Sequence, residues 1–189
     1  VEKNIAHLLV SRIEENSNIE VHIKTGSEKI NIEGEELLIL LGSSDNKEIT
    51  RQFVLHRIPP LTWLNPGAEG FLLQMINKGE KQWLLASGID NRGCLYAVGE
   101  ILRQINYKEN GFDISDDLNI RTAPAFEIRG TQYGQSGVAK QLAHVRDWTE
   151  EETQRVILDY ALAGANIFST SPGPMFDFIK SFGLMTQGG

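Results

Sequence analysis

One stretch of this chain, from Gly70 to Ile105, constrains the fold more than any other. Two apolar segments, Phe71 to Asn77 and Lys81 to Ser87, are joined by a short turn that contains Gly79, and this arrangement predicts a β-hairpin. After the hairpin, Asp90 is a suitable N-cap for a helix. The apolar residues on one side of that helix are Leu95, Val98, Ile101, Leu102 and Ile105. A hairpin followed by an amphipathic helix predicts a sheet with a helix packed on it.

The residues before this stretch predict more helices and strands of the same kind. Residues 1–15 have the apolar spacing of an amphipathic helix, and Ile19 to Ile23 alternate with polar residues like a half-buried strand. A short strand is expected at Lys29 to Glu33, and the apolar run from Glu36 to Leu41 predicts a central strand. The next helix is expected to be capped by Ser44 or Asp45 and to pack through Ile49, Phe53 and Ile58.

We assign residues 1–115 to one α+β domain, a two-layer structure with a sheet of about five strands and helices on one face. Residues 116–124 form a polar linker that carries one more edge strand before Pro124. After Pro124 the pattern becomes strand, loop, helix, strand, loop and helix, which is typical of a parallel α/β architecture.

The second part of the chain is predicted from these repeating signals. Phe126 to Gly130 is expected to be a strand, and Thr131 to Trp148 a long loop. Thr149 and Glu152 have the spacing of a capping box, so a helix is expected to begin there. That helix is expected to bury Val156, Ile157, Tyr160 and Ala161 and to end at Gly164. A buried strand at Ala165 to Phe168 and a helix from Pro174 to about Ser181 complete the prediction.

Two segments resemble the beginning of several glycoside hydrolases. The residues Asp90, Gly93, Tyr96, Ala97, Val98, Ile101 and Leu102 are similar to a turn and helix in the non-catalytic α+β domain that precedes the barrel in family 20 β-hexosaminidases. Related domains occur in family 84 hexosaminidases and in the α-glucuronidases of families 67 and 115. The segment AFEIRGTQYG, from Ala125, resembles the strand that opens the catalytic barrel. The segment WTEEETQRVILDYALAGANIF, from Trp148, resembles the first helix and second strand of that barrel.

This resemblance implies an accessory domain followed by the start of a catalytic TIM barrel at residues 125–189. A complete (β/α)₈ barrel takes about 250 residues, so the 65 or so after Pro124 would supply only its first two βα units. The implied catalytic carboxylates lie beyond these units, so no catalytic residue is expected in this chain. Family 20 members also carry a sugar-binding Arg at the position of Gly137, and this departure leaves the substrate open.

Barrel active sites form at the carboxyl ends of the strands, and this rule selects the candidate binding residues. Gln132, Tyr133 and Gly134 follow the first predicted strand and are expected to contact sugar hydroxyls, although an ordinary loop is the alternative. Arg129 is a candidate for binding a sugar or carboxylate, with an ion pair at the barrel rim as the alternative. Trp148 is a candidate sugar platform or a hydrophobic staple before Thr149.

Charge and composition argue against other classes of protein. The net charge of −7 is not that of a nucleic-acid-binding protein, and no apolar run is long enough for a membrane span. The four histidines are scattered and Cys94 stands alone, so neither a metal site nor a cofactor is expected. We expect Cys94 to be buried and inert. The implied parent enzyme is secreted or periplasmic, with its signal peptide absent from these residues.

Two further expectations concern partners. The intact parent is expected to bind carbohydrate, and the alternative is a stand-alone carbohydrate-binding or interaction module that uses Trp63, Trp83 and Trp148 for stacking. An incomplete barrel would also leave apolar strands uncovered, which favours self-association of the isolated chain.

Overall fold

The computed structural model describes residues 1–24, 37–78, 81–108, 111–132, 148–169 and 174–187, with 78, 81, 131 and 132 described by their backbone alone. The chain divides into two compact units, Val1–Pro124 and Ala125–Gly189. Helices and small sheets occur in both, so the fold is mixed α/β. Among the described residues, no helix has the length and hydropathy required to cross a bilayer.

The first unit contains three helices and six strands within the described residues. The helices are α1 (Glu2–Asn16), α2 (Lys47–Leu55) and α3 (Asn91–Gln104). The strands are β1 (Leu37–Ser43), β2 (Phe71–Lys78), β3 (Lys81–Gly88), β4 (Asn106–Lys108), β5 (Gly111–Asp113) and β6 (Asn119–Thr122). Strands β1, β3, β2 and β6 form one sheet in that order, with β1 parallel to β3 and the other pairs antiparallel. Strands β4 and β5 form a separate hairpin.

Two predictions about the first strands are wrong. Residues 19–23 have no strand conformation, because an alternating pattern makes a strand only where a neighbouring strand accepts its hydrogen bonds. Strand β1 is at the edge of the described sheet rather than in its centre, and most of its side chains are only partly buried. The strand expected at Lys29 to Glu33 lies outside the described residues.

Helix α2 packs as predicted but begins at a different cap. Its inner residues Ile49 and Phe53 are buried in one cluster with Ile58 and with residues of β2 and β3. The cap is Asn46, whose side chain accepts a hydrogen bond from the backbone N–H of Glu48 at 3.0 Å. The expected caps Ser44 and Asp45 were wrong by one or two residues, since neighbouring side chains of similar chemistry compete for this position.

The hairpin and the start of α3 agree closely with the sequence prediction. Strands β2 and β3 pair from Phe71 with Gly88 to Lys78 with Lys81, and the side chain of Asp90 caps α3 by accepting from Gly93 N at 2.8 Å. A Cβ atom on Gly88 would lie 2.1 Å from the backbone nitrogen of Cys94. Strand β3 and helix α3 therefore approach so closely that position 88 has no room for a side chain.

A buried polar group fixes the segment that leads into β2. The carboxylate of Glu69, a buried residue with a φ of 56°, contacts the guanidinium of Arg92 at 2.5 Å. The hydroxyl of Tyr96 donates to the same carboxylate at 3.4 Å. Because α3 supplies both partners, the helix holds the turn before β2 in place, which gives two residues of the helix a structural role.

The second unit has parallel strands connected by helices. The strands are β7 (Gly130–Gln132), β8 (Ile167–Ser169) and β9 (Met185–Gln187), and the helices are α4 (Glu150–Leu162) and α5 (Pro174–Ser181). Strand β8 lies between β7 and β9 and is parallel to both. This order is compatible with the start of a barrel, and a truncated barrel stays a prediction.

Several boundaries in the second unit differ from the prediction. The first strand is at 130–132 instead of Phe126 to Gly130, and the side chains of Phe126 and Ile128 are exposed. Strand β9 was not predicted. Helix α4 has the expected capping box of Thr149 and Glu152, but its Tyr160 is half exposed, and Leu158 and Leu162 are buried in its place.

Candidate functional site

The amino end of the small parallel sheet is held together by Asn166, a polar residue with no exposed surface. Its side-chain oxygen accepts from the backbone N–H of Arg129 at 2.9 Å, and its side-chain nitrogen donates to the carbonyl of Glu127 at 2.7 Å. Its backbone carbonyl accepts from Met185 N at 2.8 Å. This residue therefore links the chain before β7 with the beginnings of β8 and β9. Sequence reasoning missed it, since a lone Asn between a helix and a strand carries no periodic signal.

Arg129 precedes β7 and therefore lies at the amino end of the sheet. Its Nε donates to the carbonyl of Gly164 at 2.6 Å, and its Nη1 donates to the carbonyls of Phe126 and Glu127. Gly164 ends the turn after α4 in a left-handed conformation, with a φ of 106°. These contacts brace the backbone on both sides of the guanidinium, which gives Arg129 a structural role in the described part of the chain.

Strands β7 and β8 approach closely because Gly130 has no side chain. A Cβ atom at Gly130 would be 2.1 Å from the carbonyl oxygen of Ile167 and 2.4 Å from its Cγ2. This close approach sets the register in which Gly130 pairs with Ile167 and Gln132 with Ser169.

The carboxyl end of the sheet brings three polar residues into one row. The register pairs Gln132 with Ser169, and Ser169 with Gln187, so the three positions are adjacent across β7, β8 and β9. Side chains at paired positions of neighbouring strands share a face of the sheet. Ser169 is partly buried and Gln187 is exposed. This polar row is the candidate functional site: the hydroxyl of Ser169 and the amide of Gln187 are suited to hydrogen bonding a neutral polar ligand.

The two faces of the small sheet differ in burial. Phe168 has no exposed surface, whereas Ile167 and Ser169, its neighbours on the other face, are partly exposed. Met185 and Gln187 belong to the same face as Ile167 and are exposed. Sheets of parallel strands are normally covered on both sides. In the described residues, one face of this sheet is packed and the face that carries the polar row is open.

The structure places the predicted site residues differently. Gln132 ends β7 in the polar row, and only its backbone is described. Tyr133 and Gly134 lie outside the described residues. Trp148 is 37% exposed and directly precedes the Thr149 cap, the position expected of a staple. Ser169 was missed because the predicted β8 ended at Phe168, one residue too early. Gln187 was missed because β9 was not predicted.

Cys94 is a free cysteine buried in helix α3. Its thiol has no exposed surface, and burial raises its pKa from 9.0 to about 12, with the carboxylates of Glu2, Asp90 and Asp45 adding to the increase and a backbone hydrogen bond at Gly88 opposing it. Among the described residues, no group of three or more His, Cys, Asp or Glu side chains is arranged to bind a metal ion.

We expect Cys94 to be unreactive in the folded chain. With a pKa of about 12, only about one thiol in ten thousand is ionised at pH 8, and the thiolate is the reactive form. Incubation with a chromogenic disulfide reagent should give negligible labelling in buffer and one labelled thiol per chain in urea. Rapid labelling without denaturant would contradict the buried position.

Comparison with known proteins gives a structural relationship and no sequence relationship. No protein-family model matches the chain, and no curated protein is similar to it in sequence. Among solved structures, 21 chains match, including the structure of CpGH84B, a glycoside hydrolase of family 84. The alignment covers 97% of this chain, with a TM-score of 0.57 and 16% identity. The fold is glycoside hydrolase-like. This chain spans 30% of the length of that neighbour. The similarity to glycoside hydrolase families 20, 67 and 115 stays a prediction.

Proposed function

We propose that this chain is the N-terminal part of a glycoside hydrolase and is not catalytic by itself. In this proposal the first unit is the accessory α+β domain, and the second provides the opening strands of the catalytic barrel. The single observation that carries the proposal is the polar row of Gln132, Ser169 and Gln187 at the carboxyl ends of three parallel strands. Catalytic sites of α/β barrels are built at that end of the strands. The fold similarity to a family 84 enzyme supports the same conclusion.

The proposed ligand of the polar row in the parent enzyme is carbohydrate. Amide and hydroxyl groups match the hydroxyl groups of a sugar, and we assign binding to Gln132, Tyr133 and Gly134 together with Ser169 and Gln187. In the same proposal, Arg129 and Trp148 support the fold, since Arg129 holds the amino end of the sheet and Trp148 precedes the cap of α4. We further propose a secreted or periplasmic location for the parent.

The test of the proposal is an activity assay on the product of the complete native gene. We expect it to hydrolyse aryl glycosides of hexosamines or of uronic acids, and the 189-residue chain to hydrolyse neither. A complete product without activity on either group of substrates would contradict the enzyme proposal. The alternative function is a stand-alone carbohydrate-binding module. Calorimetric titration of the 189-residue chain with oligosaccharides tests this alternative, because such a module should bind sugar without the rest of the protein.

We expect the isolated chain to self-associate through the open face of the small sheet. Sedimentation velocity should show a concentration-dependent increase in mass, because Ile167 and Met185 leave apolar surface on that face. Changing Met185, which is 36% exposed, to Lys should shift the distribution towards monomer. Ala163→Lys, which adds the same side chain at an exposed position directly after α4, is the matched control. A wild-type chain that stays monomeric at all concentrations would contradict this expectation.

A further inference from the structure

The open face of the small sheet carries a second row of residues directly below the polar row. The register pairs Gly130 with Ile167, and Ile167 with Met185, so these three positions are adjacent across β7, β8 and β9. On each strand they lie two residues before the polar row. Because side chains alternate between the two faces of a strand, both rows belong to the same face of the sheet. We call Gly130, Ile167 and Met185 the apolar layer.

The side chain of Ile167 lies over the neighbouring glycine. Its Cγ2 atom is 2.4 Å from the place that a Cβ atom of Gly130 would occupy, so Ile167 leans from β8 towards β7. The side chain of Met185 belongs to β9 on the other side. Ile167 is partly exposed and Met185 is 36% exposed. The apolar layer is therefore accessible on the same open face as the polar row.

The apolar layer and the polar row together form a surface of mixed chemistry. A parallel strand rises about 3.3 Å per residue, so the two rows are about 6.6 Å apart along the strands. This separation is close to the width of one sugar ring. Ser169 and Gln187 offer hydrogen-bonding groups at the carboxyl edge, and the apolar layer offers hydrocarbon surface below them. None of the described side chains in the two rows is charged.

We propose that the apolar layer is the floor of the sugar site in the parent enzyme, and that Ile167 and Met185 determine specificity there; this inference rests on the proposed function. A sugar carries hydroxyl groups around its edge and C–H groups on the faces of its ring. Its hydroxyl groups bind the polar row while one C–H face packs on the apolar layer. Ligand sites commonly combine an apolar lining with a few polar groups that fix the orientation.

This floor selects against sugars that direct a polar substituent towards it. A hydroxyl or carboxylate facing Ile167 and Met185 would lose its hydrogen bonds to water and find no replacement in the apolar layer, which costs free energy. Because the layer crosses β7, β8 and β9, it also limits how far a bound ring reaches towards the amino end of the sheet.

Kinetics of the complete native gene product test the inference through Met185. The variant Met185→Gln keeps a side chain of similar length and replaces its apolar end by an amide. We expect its KM for aryl glycosides to rise about tenfold, which corresponds to about 1.4 kcal/mol, while kcat changes much less. This split is expected because the floor contacts a part of the sugar that does not react. Ile167 is left unchanged, since its contact with Gly130 also fixes the pairing of β7 and β8.

Two further variants separate binding from a general effect on the fold. Met185→Leu keeps an apolar side chain of similar volume and should retain the KM of the wild type. Met175→Gln makes the same change as the test variant on helix α5 instead of on the sheet, and it should also leave KM unchanged. A rise in KM for Met185→Leu or Met175→Gln as large as that for Met185→Gln would overturn the proposal.

Calorimetric titration of the complete product with a free hexosamine or a free uronic acid distinguishes this inference from the proposed function. An inactive product that still binds one of these sugars, and binds it about tenfold less tightly as Met185→Gln, would contradict the enzyme proposal and support the floor. An active product whose Met185→Gln variant keeps the wild-type KM and affinity would support the enzyme and overturn the floor. A product that neither hydrolyses nor binds these sugars would overturn both.

Discussion

Replacing Gly88 by alanine is expected to destabilise the first unit by at least about 3 kcal/mol, a large part of the 5–15 kcal/mol that stabilises a typical domain. The added Cβ would lie 2.1 Å from the nitrogen of Cys94, 2.4 Å from the carbonyl carbon of Gly93 and 2.6 Å from the carbonyl oxygen of Asp90. All three atoms belong to the backbone, so a change of side-chain rotamer cannot relieve the overlap. Strand β3 or the first turn of α3 has to move.

Urea denaturation followed by hydrogen exchange and mass spectrometry is the suitable measurement, because it reports on each unit separately. Gly111→Ala is the matched control, since a Cβ there would have no neighbouring atom within 4 Å. We expect that control to change the free energy of unfolding by less than about 0.5 kcal/mol. Equal stabilities of the two alanine variants would show that the strand and helix are not as close as the structure has them.

The second large effect is expected for Asn166→Ala, which should destabilise the second unit by about 2–4 kcal/mol. The substitution removes two side-chain hydrogen bonds of a fully buried residue and leaves the N–H of Arg129 and the carbonyl of Glu127 without that partner. Because these groups lie where β7 begins, we expect the sheet to lose protection from hydrogen exchange at its amino end first.

Exchange of the backbone amides of Arg129 and Ile167 gives a direct readout of this change. Gln154→Ala is the control in the same unit, because Gln154 makes an exposed hydrogen bond with Glu150 on α4. The control should leave the exchange of β7 and β8 unchanged. If Asn166→Ala exchanged like the control, the hydrogen bonds of Asn166 would not be what joins these strands.

The polar row shows how far sequence reasoning reaches towards a functional site. Gln132 was selected from a general rule about the carboxyl ends of barrel strands, and it is at the end of β7 although the strand itself was placed too early. Ser169 and Gln187 join it through the register of β8 and β9, which is set by contacts between residues far apart in the chain. A strand of three residues is too short to show a period of two, so β9 left no signal in the sequence.

The sequence by itself determined the elements whose stabilising contacts are local. The hairpin of β2 and β3, the Asp90 cap of α3 and the capping box of α4 were predicted correctly, because turn residues and caps act over three or four positions. The tertiary structure decided which apolar segments became strands. Residues 19–23 alternate like a strand and are not one, whereas Met185–Gln187 has no clear pattern and pairs with β8. The physical reason is that a strand is completed by hydrogen bonds to a neighbouring strand, and the position of that neighbour depends on packing far away in the sequence.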